Sequence, residues 1–140
     1  MPDVASSDRL VLDLGDVRDF ATVVVNGHVY PALWKPPFRV DVSDAVKGSM
    51  LDVSIRVTNR WPNKLIGDDR KPDDCTWKKS AVHGDAIEEI PEWVEKGLPS
   101  PTGRDTFVTW RHWRGTDHPL CSGLLGPVKL VREREKGVLP

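Results

Sequence analysis

Cysteine is scarce in this sequence, and its distribution excludes one common class of site. Cys75 and Cys121 are the only two cysteines among 140 residues, and neither has a second cysteine or a suitably spaced histidine nearby. This spacing argues against a zinc site. A disulfide in an exported protein and two free thiols both remain open.

An excess of charge and long apolar stretches are also missing. The 20 basic and 21 acidic residues give a net charge of -1, so no basic surface for nucleic acid is indicated. The longest apolar runs are only as long as strands, and a membrane span needs about 20 apolar residues. We therefore expect neither nucleic acid nor a membrane as a partner.

Strand patterns fill the first part of the chain. The twelve prolines, eleven glycines and six tryptophans are typical of a β-rich domain with long loops. Apolar residues alternate with polar ones, or with a second apolar set, in four segments: 10–14, 21–25, 38–42 and 51–57. Asn26-Gly27 favours a tight hairpin turn into a return strand over 28–33. Trp34, which precedes two prolines, is expected to be a packing plug. The predicted fold is an all-β antiparallel sandwich in one domain over 1–140.

A long segment without strand periodicity follows. We predict a loop insertion over 59–105 that carries one short helix near 91–96, beginning at Pro91 and ended by Gly97. Strand character returns over 106–113 and 123–131. The charged residues 132–136 are expected to form a solvated tail.

The start of this loop is the candidate binding site. Carbohydrate recognition requires flat apolar faces for sugar C–H groups and planar polar groups for hydroxyls. Two clusters offer both, and their candidate carbohydrate-binding residues are Asn59, Arg60, Trp61, Asn63 and Asp68 in the loop and Trp110 and His112 in the later strand. A structural alternative remains open, in which the indoles pack and the asparagines satisfy loop backbone.

Metal binding and catalysis are weaker alternatives. Four acids could supply oxygen ligands to calcium, but they lack a known calcium-loop spacing: Asp68, Asp69, Asp73 and Asp74. We expect no cofactor and treat calcium as the alternative. Glutamates at 88, 89, 92 and 95 could form a carboxylate pair for glycoside hydrolysis, yet a charged helix face explains them better. No nucleophile or phosphate-loop motif is present, so this chain alone is not expected to be an enzyme.

The ordered motifs resemble a known family. They are the segments 12–17, 25–27, 33–38, 58–63 and 65–68 in the first half, and 91–93, 107–113 and 122–128 in the second. Together, over roughly 10–131, they resemble the C-terminal β-sandwich of the large bacterial α-L-rhamnosidases of glycoside hydrolase family 106. Lys64 stands where arginine is expected and Cys121 where proline is expected. Lysine keeps the charge but lacks the planar fork of arginine.

This resemblance implies a fold and a role. The fold would be a galactose-binding-like jelly roll appended to a catalytic domain, whose catalytic carboxylates and calcium have no counterpart here. The role would be a carbohydrate-binding accessory domain for rhamnose- or galactose-containing glycans, in a periplasmic or secreted parent enzyme. The alternatives are a structural domain that docks on the catalytic domain and, more weakly, an independent glycoside hydrolase.

The resemblance also implies strands before the first predicted one. Only nine residues precede Leu10, so we expect a truncated fold or strands supplied from elsewhere. A missing strand would leave an open sheet edge, through which the chain could form a homo-oligomer.

Overall fold

The computed structural model describes residues 8–80 and 84–134, and the chain divides into two compact units. The first unit comprises 1–59 and 121–140, and the second comprises 60–120. The second unit therefore holds the predicted insertion except for Asn59, and extends beyond it to residue 120. The prediction of one domain over 1–140 stays a prediction.

Strands dominate the described residues. In chain order, the elements are β1 (Asp8–Asp13), β2 (Asp16–Arg18), β3 (Phe20–Val25), β4 (His28–Val29), β5 (Arg39–Asp41), β6 (Val53–Thr58), α1 (Pro62–Asp69), β7 (Trp77–Lys78), β8 (Asp85–Ile87), α2 (Glu92–Glu95), β9 (Trp110–Arg111), β10 (Gly123–Gly126) and β11 (Lys129–Arg134). The first unit contains three antiparallel sheets, ordered β11-β1-β5, β10-β2 and β4-β3-β6. The second contains β7-β8-β9, also antiparallel. The predicted all-β class with antiparallel sheets is confirmed.

The apolar core of the first unit follows the predicted alternation. Ala21, Val23 and Val25 of β3 are fully buried, as are Leu14 and Val42. Burying a side chain of the size of valine or leucine contributes about 1.5–3 kcal/mol before entropy is counted. In β6, every second residue packs against this core while the residues between are exposed, as the predicted dry and wet faces require.

The hairpin after β3 is shorter than predicted. Asn26 and Gly27 adopt positive φ of 48° and 81°, so the predicted tight turn is confirmed. The return strand β4 ends at Val29, although the Tyr30 N–H still donates to the Val23 carbonyl of β3 at 2.9 Å. Beyond it, Leu33 forms an isolated antiparallel bridge with Ala21.

Two other predictions for the first unit are wrong. Trp34 does not plug the fold: 64% of its surface is exposed, and the Lys35 ammonium lies 5.0 Å from its ring centroid. Residues 132–134 do not form a solvated tail, because β11 pairs along its whole length with β1. Arg132 Nη2 lies 2.6 Å from an Asp8 carboxylate oxygen, which holds this end of the strand. Residues 135 and 136 lie outside the described residues.

The second unit has little apolar core. Among its described residues, Ile66 is the one fully buried hydrophobic side chain, whereas Asp68 and Ser100 are buried polar residues. The predicted helix near 91–96 is confirmed as α2, with Pro91 as its N-cap and Gly97 at φ 63° after it. The predicted strand over 106–113 is reduced to β9, which pairs with Asp85 and Ala86 of β8, while Thr109 just before it accepts the Ile87 N–H at 3.0 Å.

No helix within the described ranges is long and apolar enough to cross a membrane.

Candidate functional site

The predicted polar loop after β6 is a helix. Pro62 occupies the first turn of α1, where its fixed φ fits and its missing N–H costs nothing. Trp61 is the N-cap and has no side-chain capping bond, while Ile66 faces inward with only 1% of its surface exposed. The loop prediction for 62–68 is therefore wrong, because a proline read as a strand breaker also begins a helix.

Asp68 anchors this helix to the segment before β9. Its Oδ2 accepts hydrogen bonds from the backbone N–H groups of Asp105 (3.0 Å) and Thr106 (2.8 Å) and from the Thr106 hydroxyl (2.8 Å). Its Oδ1 lies 3.0 Å from Lys71 Nζ. Burial alone would raise the pKa of Asp68, but the bonds from Thr106 and Lys71 outweigh it and lower the pKa to about 2. The carboxylate is thus committed to the fold of the second unit.

Asn63 has a similar structural role at the other end of the helix. Its Nδ2 donates to the Leu120 carbonyl at 2.8 Å, and the Leu120 N–H donates to its Oδ1 at 2.7 Å. The Asn63 side-chain amide thereby pairs with the Leu120 backbone in the way that a residue of a neighbouring strand would. Asn63 and Asp68, both predicted to bind carbohydrate, lie on α1 and have their polar atoms engaged by the protein.

An arginine–aspartate network takes the place of an apolar core. The buried guanidinium of Arg104 donates to the carbonyls of Lys71 (2.8 Å) and Pro72 (2.9 Å) and to Asp73 (2.9 Å). Arg111 also donates to Asp73, and its guanidinium carbon lies 4.6 Å from the Trp77 ring centroid. Arginine suits this position because its planar group can bond several acceptors and stack on an indole.

Sequence reasoning missed these two arginines. Arg111 Nε lies 2.7 Å from Asp69 Oδ1, although its N–H is not aligned for a hydrogen bond. The sequence contained one signal for this network. Four aspartates lie close together at 68, 69, 73 and 74, and three arginines that could pair with them follow at 104, 111 and 114. That pattern predicts pairing in a unit with few apolar residues.

Aromatic rings line a small cavity next to this network. The rings of Trp110 and His112 are 5.1 Å apart and tilted by 40°, and the His112 and Trp113 rings meet edge-on at 5.1 Å. The cavity has a volume of about 40 Å³ and is lined by these rings and by Leu65, Asp68, Asp69, Asp74, Cys75, Trp77, Arg104, Thr106, Phe107, Val108 and Arg111. Pockets for small molecules usually enclose about 300–1,000 Å³, so a sugar cannot enter this one. A sugar can instead contact the exposed part of Trp110, half of whose surface is accessible to solvent.

Gly84 fixes the position of the Trp110 indole. Its φ is 78°, and a Cβ added there would lie 2.9 Å from Trp110 Nε1. The bare backbone at Gly84 thus permits a close approach to the Trp110 indole, half of whose surface is exposed.

The remaining predicted site residues are exposed. Trp61 has 66% of its surface exposed, which argues against a role as a plug. Arg60 is exposed at the beginning of the second unit, and Asn59 is exposed at the end of the first. Six of the seven predicted residues therefore form three groups in the second unit: Trp110 with His112, the exposed Arg60 and Trp61 before α1, and the engaged Asn63 and Asp68 within it. Asn59 belongs to the first unit.

The acids proposed as calcium ligands are engaged with the protein. Asp68, Asp69 and Asp73 face lysine or arginine, and Asp74 accepts a hydrogen bond from the Ser100 hydroxyl at 2.7 Å. Within 8–80 and 84–134, no group of three or more histidine, cysteine, aspartate or glutamate residues could hold a metal ion. Calcium binding stays a prediction.

The two cysteines are free thiols. Cys75 lies at the cavity and is partly buried, and this burial, followed by the nearby carboxylates of Asp74 and Asp73, raises its pKa. A raised pKa keeps the thiol protonated and unreactive. Cys121 is exposed in the first unit.

Comparison with known proteins relates this chain to parts of much longer proteins. No family model matches it. A protein of Formosa agariphila that carries the name "Putative beta-glucuronidase" is 44% identical over 125 residues, which cover 89% of this chain and 10% of that protein. The structure of a rhamnosidase from Novosphingobium sp. PP1Y superimposes with a TM-score of 0.61 at 29% identity, covering 92% of this chain and 10% of that one.

The chain is similar to one domain-sized segment of two glycosidase-like proteins. In each case it spans about a tenth of the length of the protein it matches. The expected relationship to glycoside hydrolases is confirmed at this level, and the all-β sandwich fold agrees with that of the rhamnosidase segment.

Proposed function

We propose that this chain is a non-catalytic, carbohydrate-binding accessory domain of a glycoside hydrolase, with a galactose-binding-like jelly roll of the family 106 type. The similarity to a tenth of two long proteins, one named a beta-glucuronidase and the other a rhamnosidase, supports an accessory position. The parent enzyme would be bacterial and periplasmic or secreted. Its catalytic domain would be the main protein partner.

The observation that carries the proposal is the pair formed by Trp110 and His112. An indole that is half exposed, held by Gly84 and contacted by an imidazole offers a rigid apolar face with a polar group beside it. A pyranose ring stacks its C–H groups on such a face, and an adjacent imidazole can donate to or accept from a hydroxyl. Because the cavity beneath is only about 40 Å³, the sugar lies on the surface.

Trp61 and Arg60 form a second exposed pair and would contact further sugar units of the same glycan. Asn63 and Asp68 support the site without contacting the ligand, because their polar atoms are already bonded within the second unit. Rhamnose- and galactose-containing glycans are the first ligands to test, since both follow from the family resemblance.

The charge state of the cavity carboxylates argues against catalysis. A general acid in glycoside hydrolysis needs a raised pKa, so that it still holds a proton at neutral pH. Asp68 has its pKa lowered to about 2, and Asp69 is paired with Arg111. The Asp68 carboxylate is therefore ionised at neutral pH, and both carboxylates are engaged with neighbouring residues of the protein.

A docking role is the second candidate, and one observation favours it. Four apolar side chains of the β10–β11 segment are substantially exposed in the first unit: Leu124, Leu125, Val128 and Leu130. Exposed apolar clusters often mark protein interfaces. The catalytic domain of the parent protein would cover them.

Self-association through a sheet edge is a weaker proposal. β11 is an outer strand of its sheet, and it carries Lys129, Arg132, Glu133 and Arg134. Charged side chains on an edge strand discourage pairing with a second chain. Light scattering coupled to size-exclusion chromatography tests this point directly.

A glycan array separates the two main candidates. Binding to rhamnose- or galactose-containing oligosaccharides, without release of nitrophenol from aryl glycosides, supports the accessory binding domain. An array on which no glycan is bound contradicts it and favours docking. Hydrolysis of an aryl glycoside by this chain alone contradicts the non-catalytic assignment.

A further inference from the structure

An open hollow in the second unit lies outside the aromatic cavity. Its volume is about 420 Å³, within the usual range of ligand sites, and it is lined by Asp69, Arg70, Arg114, Gly115 and Thr116. Two of these five residues are arginines. We propose that the hollow binds the carboxylate or sulfate group of an acidic sugar, an inference that rests on the proposed carbohydrate binding and specifies its ligand.

Gly115 sets the shape of the hollow. Its N–H donates to Asp69 Oδ2 at 2.7 Å, and its carbonyl accepts from Arg70 Nε at 2.9 Å. A Cβ on this residue would lie 2.9 Å from Arg70 Cγ and 3.2 Å from the Arg70 nitrogen. The lining backbone is therefore fixed against the end of α1, and the Arg70 side chain is anchored at one nitrogen.

The two guanidinium groups keep unused donors. Arg70 bonds through Nε alone, and Arg114 bonds through Nη2 to Asp85 at 2.9 Å. Among the described residues, the terminal nitrogens of Arg70 and the Nη1 of Arg114 have no acceptor. Each side chain is thus held in place by one bond while its other N–H groups are available, which is an arrangement that suits an anion with several acceptor oxygens.

The carboxylate in the hollow does not cancel this preference. Asp69 is mostly buried, its Oδ1 lies 2.7 Å from Arg111 Nε, and its Oδ2 accepts from Gly115. Asp85 offsets part of the charge of Arg114, and Asp117 accepts the backbone N–H of Arg114 at 2.8 Å. Arg70 has no carboxylate partner among the described residues, so no paired carboxylate there offsets its attraction for an anion.

The hydroxyl of Thr116 makes the hollow suitable for a sugar acid. A hydroxyl can donate to or accept from a ring hydroxyl of a sugar whose acidic group is bound by arginine. An acidic saccharide fits the available donors better than a neutral one, because a guanidinium group bonds a charged carboxylate or sulfate more strongly than it bonds a neutral hydroxyl.

Nuclear magnetic resonance titration of the whole 15N-labelled chain tests this assignment. The probes are methyl glucoside, methyl glucuronide, methyl glucoside 6-sulfate and inorganic sulfate. We expect the Gly115 amide and the Arg70 Nε–H signals to shift with the two acidic glycosides, whose affinity should exceed that of the neutral glycoside by about tenfold or more. The order of the two acidic probes identifies the preferred group.

Variants of Arg70 provide the control. Arg70→Ala should abolish the preference for acidic glycosides, and Arg70→Lys should retain only part of it, because lysine lacks the planar fork. Arg56→Ala, which removes an exposed arginine of β6 in the first unit, should change nothing. Raising the salt concentration should weaken the binding of acidic glycosides more than that of the neutral one.

The possible outcomes separate this inference from the proposed function. Equal affinity for neutral and acidic glycosides, or an unchanged preference in Arg70→Ala, overturns the acidic-sugar inference and leaves carbohydrate binding intact. Inorganic sulfate that binds as tightly as the sugar sulfate shows a simple anion site and overturns the sugar part. If no glycoside shifts any signal, and no glycan is bound on the array, both proposals fall.

Discussion

Asp68 and Thr106 are joined by two hydrogen bonds of 2.8 Å, one from the backbone N–H of Thr106 and one from its hydroxyl, both to the same carboxylate oxygen. This pair ties α1 to the segment that leads into β9, where the Trp110 indole and the His112 imidazole meet. In a unit whose one fully buried apolar residue, among those described, is Ile66, polar contacts of this kind position the aromatic surface.

Replacing the Asp68 carboxylate should destabilise the second unit. Asp68→Asn keeps the size of the side chain but removes the charge that Lys71 and three donors share, so we expect a loss of about 2 kcal/mol in unfolding free energy. Asp105→Asn is the matched control, because its carboxylate is exposed and pairs with Lys64 at the surface, where an ion pair contributes about 1 kcal/mol or less. Urea unfolding measures both. Equal losses in the two variants would contradict the anchoring role of Asp68.

Stability should fall in acid as two carboxylates gain protons. The pKa of Asp68 and that of Asp41 are both lowered to about 2, Asp41 chiefly by hydrogen bonds from Ser43 and Arg9. A lowered pKa in the folded state means that the stabilisation is complete above the unfolded-state value near 4 and is lost as the pH falls toward 2.

For Asp68, which is only 4% exposed, this loss amounts to roughly 2 kcal/mol. Urea titrations between pH 6 and pH 2.5 should show the decline, and Asp68→Asn should make it shallower. A variant curve that runs parallel to the wild-type curve over this range would show that Asp68 is not responsible.

Replacing each of two glycines of the second unit with alanine should change the stability of the protein in opposite directions. Gly115→Ala places a Cβ 2.9 Å from Arg70 Cγ and 3.2 Å from backbone atoms, so we expect a loss of about 1–3 kcal/mol. Gly67 lies inside α1 with nothing within 4 Å of an added Cβ, and alanine there should stabilise the helix by about 0.5–1 kcal/mol. Thermal unfolding of the two variants checks the pair. A stabilised Gly115→Ala would contradict the close approach at Arg70.

The apolar core of the first unit should respond to truncation as buried cores do. Leu14 is fully buried, and Leu14→Ala should cost about 2–5 kcal/mol because it leaves a cavity. Leu125→Ala truncates the same side chain at a site that is half exposed, and should cost much less in the isolated chain. Denaturant unfolding compares the two. Similar losses would show that Leu125 packs within the protein and would weaken the docking alternative.

Much of the first unit could be predicted from the sequence, because its strands bury one face. Ala21, Val23 and Val25 alternate with partly covered residues, and this period of two carries the strand signal directly. The tight turn at Asn26 and Gly27 follows from local backbone chemistry. The extension of β11 was missed, because charged residues are usually solvated and the pairing of Arg132 with Asp8 is a long-range contact.

The second unit was harder to predict for a physical reason. Its interior is ionic, so hydrophobic periodicity carries little information there. Arg104 and Arg111 look like surface residues in the sequence, yet they are largely buried against aspartates. Pro62 could be interpreted in two ways, because proline both interrupts strands and is common in the first turn of a helix. The contact between Trp110 and His112 was predictable, because residues two apart in an extended segment share a face.

Calorimetric titration with the best glycan from the array tests the central claim most directly. The measurement compares the wild-type chain with Trp110→Ala and with Trp34→Ala, which removes a tryptophan of the first unit that is 64% exposed, against 50% for Trp110. We expect Trp110→Ala to weaken binding about tenfold or more, because it removes the broad apolar face on which the sugar stacks, and we expect Trp34→Ala to bind as the wild type does. Unchanged affinity in a folded Trp110→Ala variant would contradict the claim.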